Sequence, residues 1–241
     1  MPTLTAVPSP PAPGSYALTL NHSGNERSYL LHVPEGYDTS AQPPLVLAFH
    51  GRPSTPREME LLSGLSEKAD QEGFVGALID EITNAWGADP DRVYATGMSN
   101  GAQMVYRLAA EMGGRLAAIA PVSGAPVNPS QIGPATPVSL ITFTGTADGV
   151  AIPAAEGLDT WRQRAGCPDP SLRTQDDGNG TAEIATSACD DGTEVVWYSI
   201  TDMGHFWPGG ERGVAADPTA PVNATEVIWD FFDQHPSAGT S

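Results

Sequence analysis

The amino-acid sequence predicts an α/β fold, in which a mainly parallel sheet is flanked by helices. Short apolar runs of strand length alternate along the chain with segments of helical periodicity, and this alternation is typical of a parallel sheet. The 241 residues are enough for one domain with a sizeable core, and we find no internal repeat. We predict a Pro-rich linker over residues 1–14, one domain over 15–236 and a tail over 237–241.

The predicted strands begin with a hairpin that joins residues 16–20 to residues 27–33 across a polar turn. The run at 44–49 ends in His50-Gly51 and is apolar on both faces, as expected for a strand in the middle of a sheet. Further strands are expected at residues 92–96, 116–122, 138–144 and 194–200.

The predicted helices begin with a capping box at Thr55-Pro56-Arg57-Glu58, which opens a helix that continues to Ala69. A second helical pattern lies between Val75 and Ile82. Residues 100–112 form the next predicted helix. The last helix is capped by Asn223 and Glu226 and presents an apolar face to the sheet.

The composition excludes several functions. Eleven basic residues against 29 acidic ones give a net charge of −18, so nucleic acids and anionic membrane surfaces are not expected partners. No apolar run approaches the length of a membrane span. The acidic turn at 176–180 lacks the closing glutamate of a calcium loop, and no phosphate or dinucleotide motif is present, so we expect neither a metal nor a cofactor.

One strand-to-helix junction carries a nucleophile motif. Gly97-Met98-Ser99-Asn100-Gly101 matches G-x-S-x-G, follows the predicted strand at 92–96 and precedes the predicted helix at 100–112. A nucleophile elbow needs this setting, because its serine occupies a tight turn and the flanking glycines let other backbone pass close by. The alternative is a glycine-rich turn with a bystander serine. We predict that Ser99 is a nucleophile.

A serine nucleophile needs a base and an orienting acid, which follow it in the order serine, acid, histidine. Of the five histidines, only His205 and His235 come after Ser99. His205 lies in a loop directly after the strand at 194–200, whereas His235 is expected to be a solvated residue at the end of the last helix. Asp148 follows the strand at 138–144. We predict His205 as the base and Asp148 as the acid, with an ordinary turn aspartate as the alternative for Asp148.

The oxyanion that develops during ester hydrolysis needs preorganised N–H donors. We expect one donor to be the backbone of Asn100, directly after the nucleophile. The other should come from the loop after residue 49, where Arg52 is the candidate. His50 is expected to be a structural histidine.

Cys167 and Cys189 are the two cysteines of the chain, and both lie in polar, turn-rich sequence where a free thiol would be exposed. We therefore predict a disulfide and an oxidising compartment, the alternative being two buried thiols in a cytosolic protein. Residues 1–14 lack the pattern of a signal peptide and resemble the linker that follows one. The protein is thus expected to be secreted.

The nucleophile motif, the histidine loop and several other segments of the chain resemble the polyhydroxybutyrate depolymerase / feruloyl esterase family of secreted α/β-hydrolases, the LpqC-like esterases. The matching segments cover most of the chain in the family's order: RSYLLHVPEGYD, PLVLAFHG, DPDRVYATGMSNGAQMVYRLA, FTGTAD, DGTEVVWYSI, GHFWPGG and ATEVIWDFF. The resemblance implies an α/β-hydrolase fold, a Ser99–His205–Asp148 triad and a structural disulfide between the two cysteines.

The chain departs from that family after Phe74, where an expected central strand and its following loop are missing. The fold is therefore predicted to be shortened, with one edge of the strand at 44–49 left without its neighbour. Three outcomes are open: residues 27–33 pair with that edge, the helical stretch at 55–86 covers it, or a second chain supplies a strand in a homodimer.

The predicted function is hydrolysis of carboxylic esters through an acyl-enzyme. Candidate substrates are polyhydroxyalkanoates, aromatic polyesters such as polyethylene terephthalate, and feruloyl or acetyl esters of polysaccharides. Met98, Phe206 and Trp207 are predicted to line an aromatic-accepting surface, or else to pack the histidine loop onto the sheet. A catalytically silent binding or scaffold domain, and a peptidase or acyltransferase with the same triad, are the alternatives.

Overall fold

The computed structural model describes residues 3–4, 12–22, 24–77, 88–126, 136, 138–149 and 154–237. The strands in chain order are β1 (Thr3–Leu4), β2 (Gly14–His22), β3 (Asn25–Val33), β4 (Leu45–Phe49), β5 (Val75–Ala77), β6 (Val93–Met98), β7 (Ala118–Val122), β8 (Ser139–Gly145), β9 (Ser171–Asp176), β10 (Thr181–Ala188), β11 (Glu194–Ile200), β12 (Trp207–Pro208) and β13 (Ala216–Asp217). The helices are α1 (Pro56–Ser63), α2 (Leu65–Glu72), α3 (Asn100–Met112), α4 (Ala154–Arg164) and α5 (Ala224–Gln234).

The central sheet has a parallel middle and antiparallel edges. Over the described residues its strand order is β1-β2-β3-β5-β4-β6-β7-β8-β11-β10-β9. The strands from β5 through β4, β6, β7 and β8 to β11 are parallel, and the remaining pairings are antiparallel. Because the carboxyl ends of parallel strands meet at one edge, the loops after β4, β6, β8 and β11 converge there.

The position beside β4 is not empty, which corrects two predictions. Val75–Ala77 forms β5, which pairs in parallel with β4 and contacts β3 through His32 and Gly76. The helical prediction is therefore wrong for these three residues, and the rest of that pattern, 78–82, lies outside the described residues. Val75 is buried, and a short apolar segment that is buried between two strands cannot be told from a helix by periodicity. The edge of β4 that was expected to lack its neighbour is covered within the chain, by an extended segment of the stretch 55–86, so no second chain is needed to supply a strand there.

The predicted helix between Thr55 and Ala69 is two helices. Thr55 caps α1 as expected: its hydroxyl accepts a hydrogen bond from the Glu58 amide at 3.2 Å. Gly64 then adopts φ +63° and separates α1 from α2. A left-handed residue at this point ends the first helix, and glycine adopts that conformation without a steric penalty.

The helices cover both faces of the sheet. On one face α5 packs through stacked rings, with ring centroids 4.3 Å apart for Phe74 and Trp229 and 4.5 Å apart for Tyr94 and Phe232. Residues of α1 and α2 belong to the same core cluster. On the other face, α3 and α4 meet where the rings of Tyr106 and Trp161 contact edge to face. The predicted mainly parallel sheet between two helix layers is confirmed.

Cys167 and Cys189 form a disulfide, as predicted. It joins the segment after α4 to the end of β10, across a sequence separation of 22 residues. Closing a loop of this length stabilises the fold by about 3 kcal/mol. None of the helices within the described ranges is long and apolar enough to cross a membrane.

Candidate active site

Ser99 occupies the turn between β6 and α3 in a strained backbone conformation. Its φ is +58°, a value that is uncommon for residues other than glycine. Its amide donates a hydrogen bond to the carbonyl oxygen of Val122, at 3.1 Å, and this contact fixes the turn to the end of β7. The backbone therefore has the geometry of the predicted nucleophile elbow: the serine lies in a sharp turn at the carboxyl edge of the sheet.

Glycines make this turn sterically possible. A Cβ atom on Gly97 would lie 2.7 Å from the carbonyl oxygen of Phe49, and one on Gly101 would overlap the same group. A Cβ on Gly51 would lie 3.1 Å from the Cβ of Ser99. The end of β4 therefore passes directly against the turn, which places the loop after Phe49 beside the serine.

His205 and Asp148 are in direct contact. The Nδ1 atom of His205 lies 2.8 Å from Oδ2 of Asp148, whose side chain is fully buried, whereas the imidazole is 32% exposed. An ionised carboxylate only accepts hydrogen bonds, so this contact places a proton on Nδ1 and makes Nε2 of the neutral ring a proton acceptor. The amide of Ala147 donates to the Met203 carbonyl at 3.0 Å and joins the two loops.

Ser99 and His205 face the same cavity, which has a volume of about 340 Å³. Asp148 does not line it and lies behind the histidine. The wall is largely apolar, with Arg52 and Glu58 as its charged members; the apolar side chains are Pro53, Met59, Leu61, Leu62, Met98, Val214 and Ala215. An apolar cavity with a few convergent polar groups is the usual form of a small-molecule site.

Of the two predicted oxyanion donors, Arg52 lies at this cavity and Asn100 directly follows Ser99 in the chain. Arg52 lines it directly, and Asn100 is the first residue of α3 and is exposed. The first N–H groups of a helix point out of its N-terminus and carry the positive end of the helix dipole. The structure therefore places Arg52 on the same cavity as Ser99, and Asn100 at the helix N-terminus directly after Ser99.

The three predicted surface residues have different positions. Met98 is buried but lines the cavity. Trp207 is fully buried, and its indole N–H donates to the hydroxyl of Thr225 at 3.0 Å. Phe206 is partly buried against the same core cluster. Of the two predictions for Trp207 and Phe206, these contacts favour packing of the histidine loop onto the core.

The other histidines near strand ends are held elsewhere. His50 contacts the Gly51 carbonyl through Nδ1 at 2.9 Å, as expected for a structural histidine. His235 is not the solvated residue that the sequence predicts, since its ring stacks on Phe231 with centroids 4.1 Å apart. It lies 3.5 Å from the carboxylate of Glu194, the first residue of β11, and thus at the opposite end of that strand from His205.

The acidic segment 176–180 connects β9 to β10. The Asp177 carboxylate accepts hydrogen bonds from the amides of Asn179 and Gly180, at 2.9 and 3.1 Å. These bonds hold the pKa of Asp177 below its ordinary value. Across the part of the chain that the structure describes, no group of three or more His, Cys, Asp or Glu side chains is arranged to hold a metal ion.

No family model matches the chain. NocK of Nocardia uniformis subsp. tsuyamanensis, which is named as an esterase, is 29% identical to it over 78% of this chain and 72% of its own length. Feruloyl esterase D of Neurospora crassa is 25% identical over 90% of this chain and 85% of its own.

Solved structures agree on the fold. Thermogutta terrifontis esterase 2 superposes with a TM-score of 0.64 at 12% identity, over 95% of this chain and 97% of its own. A ferulic acid esterase from Anaeromyces mucronatus, solved with ferulic acid, gives a TM-score of 0.62 at 13% identity, over 92% and 90% of the two chains. The chain therefore has the α/β-hydrolase fold and is a carboxylic-ester hydrolase, similar in sequence to esterases and feruloyl esterases.

Proposed function

We propose that Ser99, His205 and Asp148 form a catalytic triad. In the first half of the reaction Nε2 of His205 takes the proton of the Ser99 hydroxyl as Oγ attacks the ester carbonyl. The imidazolium then gives that proton to the departing alcohol, which leaves an acyl-enzyme. In the second half His205 activates a water molecule that releases the acid. The 2.8 Å contact between His205 and Asp148 supports the orienting role of the carboxylate.

The backbone amides of Asn100 and Arg52 are proposed to stabilise the tetrahedral oxyanion. Asn100 is the first residue of α3, where unpaired amides and the helix dipole favour negative charge. Arg52 belongs to the loop that passes against Ser99. Removing one such donor from a serine hydrolase costs about 10²–10³ in kcat.

Esters with an aromatic acyl group, of the feruloyl type, are the proposed substrates. The observation that carries this proposal is the apolar cavity beside Ser99 and His205, whose walls include Leu61, Leu62 and Met98. A flat aromatic ring gains from burial against such side chains. Feruloyl esterases among the relatives and structural neighbours support this proposal.

Polymeric esters are the second candidate, because the cavity is bordered by exposed side chains. Arg52 is exposed and Val214 is fully exposed at its wall. An uncovered apolar side chain beside a cleft suits a substrate that extends beyond the pocket. Polyhydroxyalkanoates and aromatic polyesters are therefore retained as substrates to be tested.

The deciding experiment is a product assay with the purified protein and its Ser99→Ala variant. Methyl ferulate, p-nitrophenyl acetate, acetylated xylan, polyhydroxybutyrate and polyethylene terephthalate film are incubated separately, and the released acids are separated by chromatography. We expect a higher kcat/KM on methyl ferulate than on acetylated xylan, and no activity with Ser99→Ala; p-nitrophenyl acetate, whose leaving group is activated, reports general esterase activity only. A higher rate on acetylated xylan would overturn the aromatic assignment, and product from the films alone would favour the polymer.

Secretion is proposed on the basis of the disulfide, since such bonds persist in oxidising compartments. Titration of the protein purified without reductant, under denaturing conditions, should reveal no free thiol. Two titratable thiols would contradict the proposal.

A further inference from the structure

Ser123 directly follows β7 and has an unusual backbone. Its side chain is completely buried, and its φ is +46°, in the left-handed region. Its amide donates to the carbonyl of Phe143 at 2.8 Å. Glycine would adopt this conformation at a lower cost than serine. Strained residues of this kind concentrate at functional sites, so the side chain that occupies this position needs an explanation.

The hydroxyl group of Ser123 reaches the histidine loop. Its Oγ donates a hydrogen bond to the carbonyl oxygen of Phe206, the residue after His205, at 2.7 Å. The preceding residue, Val122, accepts the amide of Ser99 at 3.1 Å. Two consecutive residues at the end of β7 thus hold the turn of the nucleophile and the loop of the base.

The histidine loop is fixed on both sides of His205. On its N-terminal side the Met203 carbonyl accepts the amide of Ala147, and the imidazole itself contacts Asp148. On its C-terminal side the Phe206 carbonyl accepts the hydrogen bond from Ser123, which links the loop to the end of β7 beside Ser99. The Asp148 contact and the buried Trp207 hold the loop when that hydrogen bond is lost, so we expect a small shift of the ring relative to Ser99 and not a release of the loop.

We propose that Ser123 is a positioning residue, which sets the distance between Nε2 of His205 and Oγ of Ser99 through the Phe206 carbonyl. The inference rests on the proposed triad. It assigns Ser123 no contact with substrate. Catalysis depends on such distances steeply, since a misplacement of about 1 Å can cost about a hundredfold in rate.

Two variants separate the hydroxyl from the strain. Ser123→Ala removes the hydroxyl and keeps a Cβ atom at positive φ, whereas Ser123→Gly removes the hydroxyl and relieves the strain. We expect both to lose about tenfold in kcat, with KM within about twofold of the wild type. We expect Ser123→Gly to unfold at a higher temperature than Ser123→Ala. A merely structural role would make kcat follow thermal stability, so that glycine restores it.

Ser139→Ala is the matched control. Ser139 is a buried serine on the neighbouring strand β8, and its hydroxyl accepts the amide of Glu194 at 3.2 Å, at the opposite end of the sheet. This variant should keep the wild-type kcat. The second measurement is the rate at which a fluorophosphonate labels Ser99, which should fall in both Ser123 variants and not in the control.

Wild-type kcat in a folded Ser123→Ala or Ser123→Gly protein would overturn the inference, as would recovery of kcat in the glycine variant. If Ser123→Ala does not fold, Ser123→Gly alone decides. Failure of the triad has a different signature, because Ser99→Ala would then keep its activity on the same ester.

Discussion

His205 and His32 each contact an aspartate carboxylate, but the two pairs have different surroundings. The nitrogen–oxygen distance is 2.8 Å for His205 and Asp148 and 3.0 Å for His32 and Asp70. The Asp148 side chain is fully buried, whereas that of Asp70 is 41% exposed. His205 borders a cavity of about 340 Å³, and His32 borders one of about 60 Å³.

A serine accompanies each pair. Ser15 lies 2.9 Å from Nδ1 of His32, and it also donates to the carboxylate of Glu60 at 2.9 Å. Ser15 belongs to the regular strand β2, whereas Ser99 projects from a strained turn at the start of a helix. Proximity of a serine to a histidine–aspartate pair is therefore not what assigns the proposed hydrolytic site to the Ser99 group. The proposal rests on the coincidence of such a pair with an elbow, a larger cavity and candidate oxyanion donors.

The largest expected difference between the two groups is at the serines. Ser99→Ala and His205→Ala should each lower kcat by about 10⁵-fold or more, because the proposed nucleophile or its proposed base is removed. Ser15→Ala, the matched control, should remain within about twofold of the wild type. Initial rates on methyl ferulate, with folding checked by circular dichroism, measure both. Activity in Ser99→Ala, or its loss in Ser15→Ala, would reverse the assignment of the two groups.

The aspartates should differ next. Asp148→Asn should lower kcat by about 10⁴-fold, since an amide no longer favours the Nδ1–H tautomer of His205. Asp70→Asn should leave kcat within about twofold and lower stability slightly, because Asp70 also accepts the amide of Glu35. Kinetic assays and urea denaturation of both variants test this contrast. Equal rate losses would show that both pairs act on catalysis.

The smallest effect is expected at Glu60, in the His32 group. Burial acts to raise the pKa of this carboxyl, but hydrogen bonds from Ser66, Ser15 and Arg57 hold it below its ordinary value. The ionised group therefore stabilises the fold above the unfolded-state pKa of about 4.3, and this stabilisation is lost as the pH falls through the lower folded value.

Glu60→Gln should thus cost about 1 kcal/mol at neutral pH and make unfolding less sensitive to acid. Urea titrations between neutral pH and about pH 3 measure this, with the exposed Glu67→Gln as control. An acid dependence equal to that of the wild type would contradict the pKa assignment. An unchanged kcat in Glu60→Gln would show that Glu60 takes no part in catalysis.

The main features of the fold and the candidate site could be predicted from local sequence. Ser99, Asp148 and His205 each follow a strand with a clear apolar pattern, so the positions of their loops could be inferred one at a time. The strands β9 and β10 were not predicted, because β9 is an exposed edge strand without apolar alternation. The strand β5 was mistaken for a helix because it has only three residues and lies between two other strands.

Other features depend on contacts that no single segment specifies. The sequence around Trp207 is compatible with an indole ring at the surface or in the core. Its hydrogen bond to Thr225 on α5 shows that the ring lies in the core. The position of Ser123 beside Phe206 joins residues that are 83 apart in the chain. The exposure of Val214 depends on how its loop meets the cavity.

Val214 and Gly101 differ in how many substitutions the structure can accommodate. The Val214 side chain is fully exposed, while it borders the cavity that holds Ser99. At Gly101 even one added methyl group would overlap the Phe49 carbonyl. Mutational drift and directed evolution can therefore sample many side chains at residue 214 with little loss of folding stability. New ester preferences should arise in this loop, while the turn beneath it stays nearly invariant.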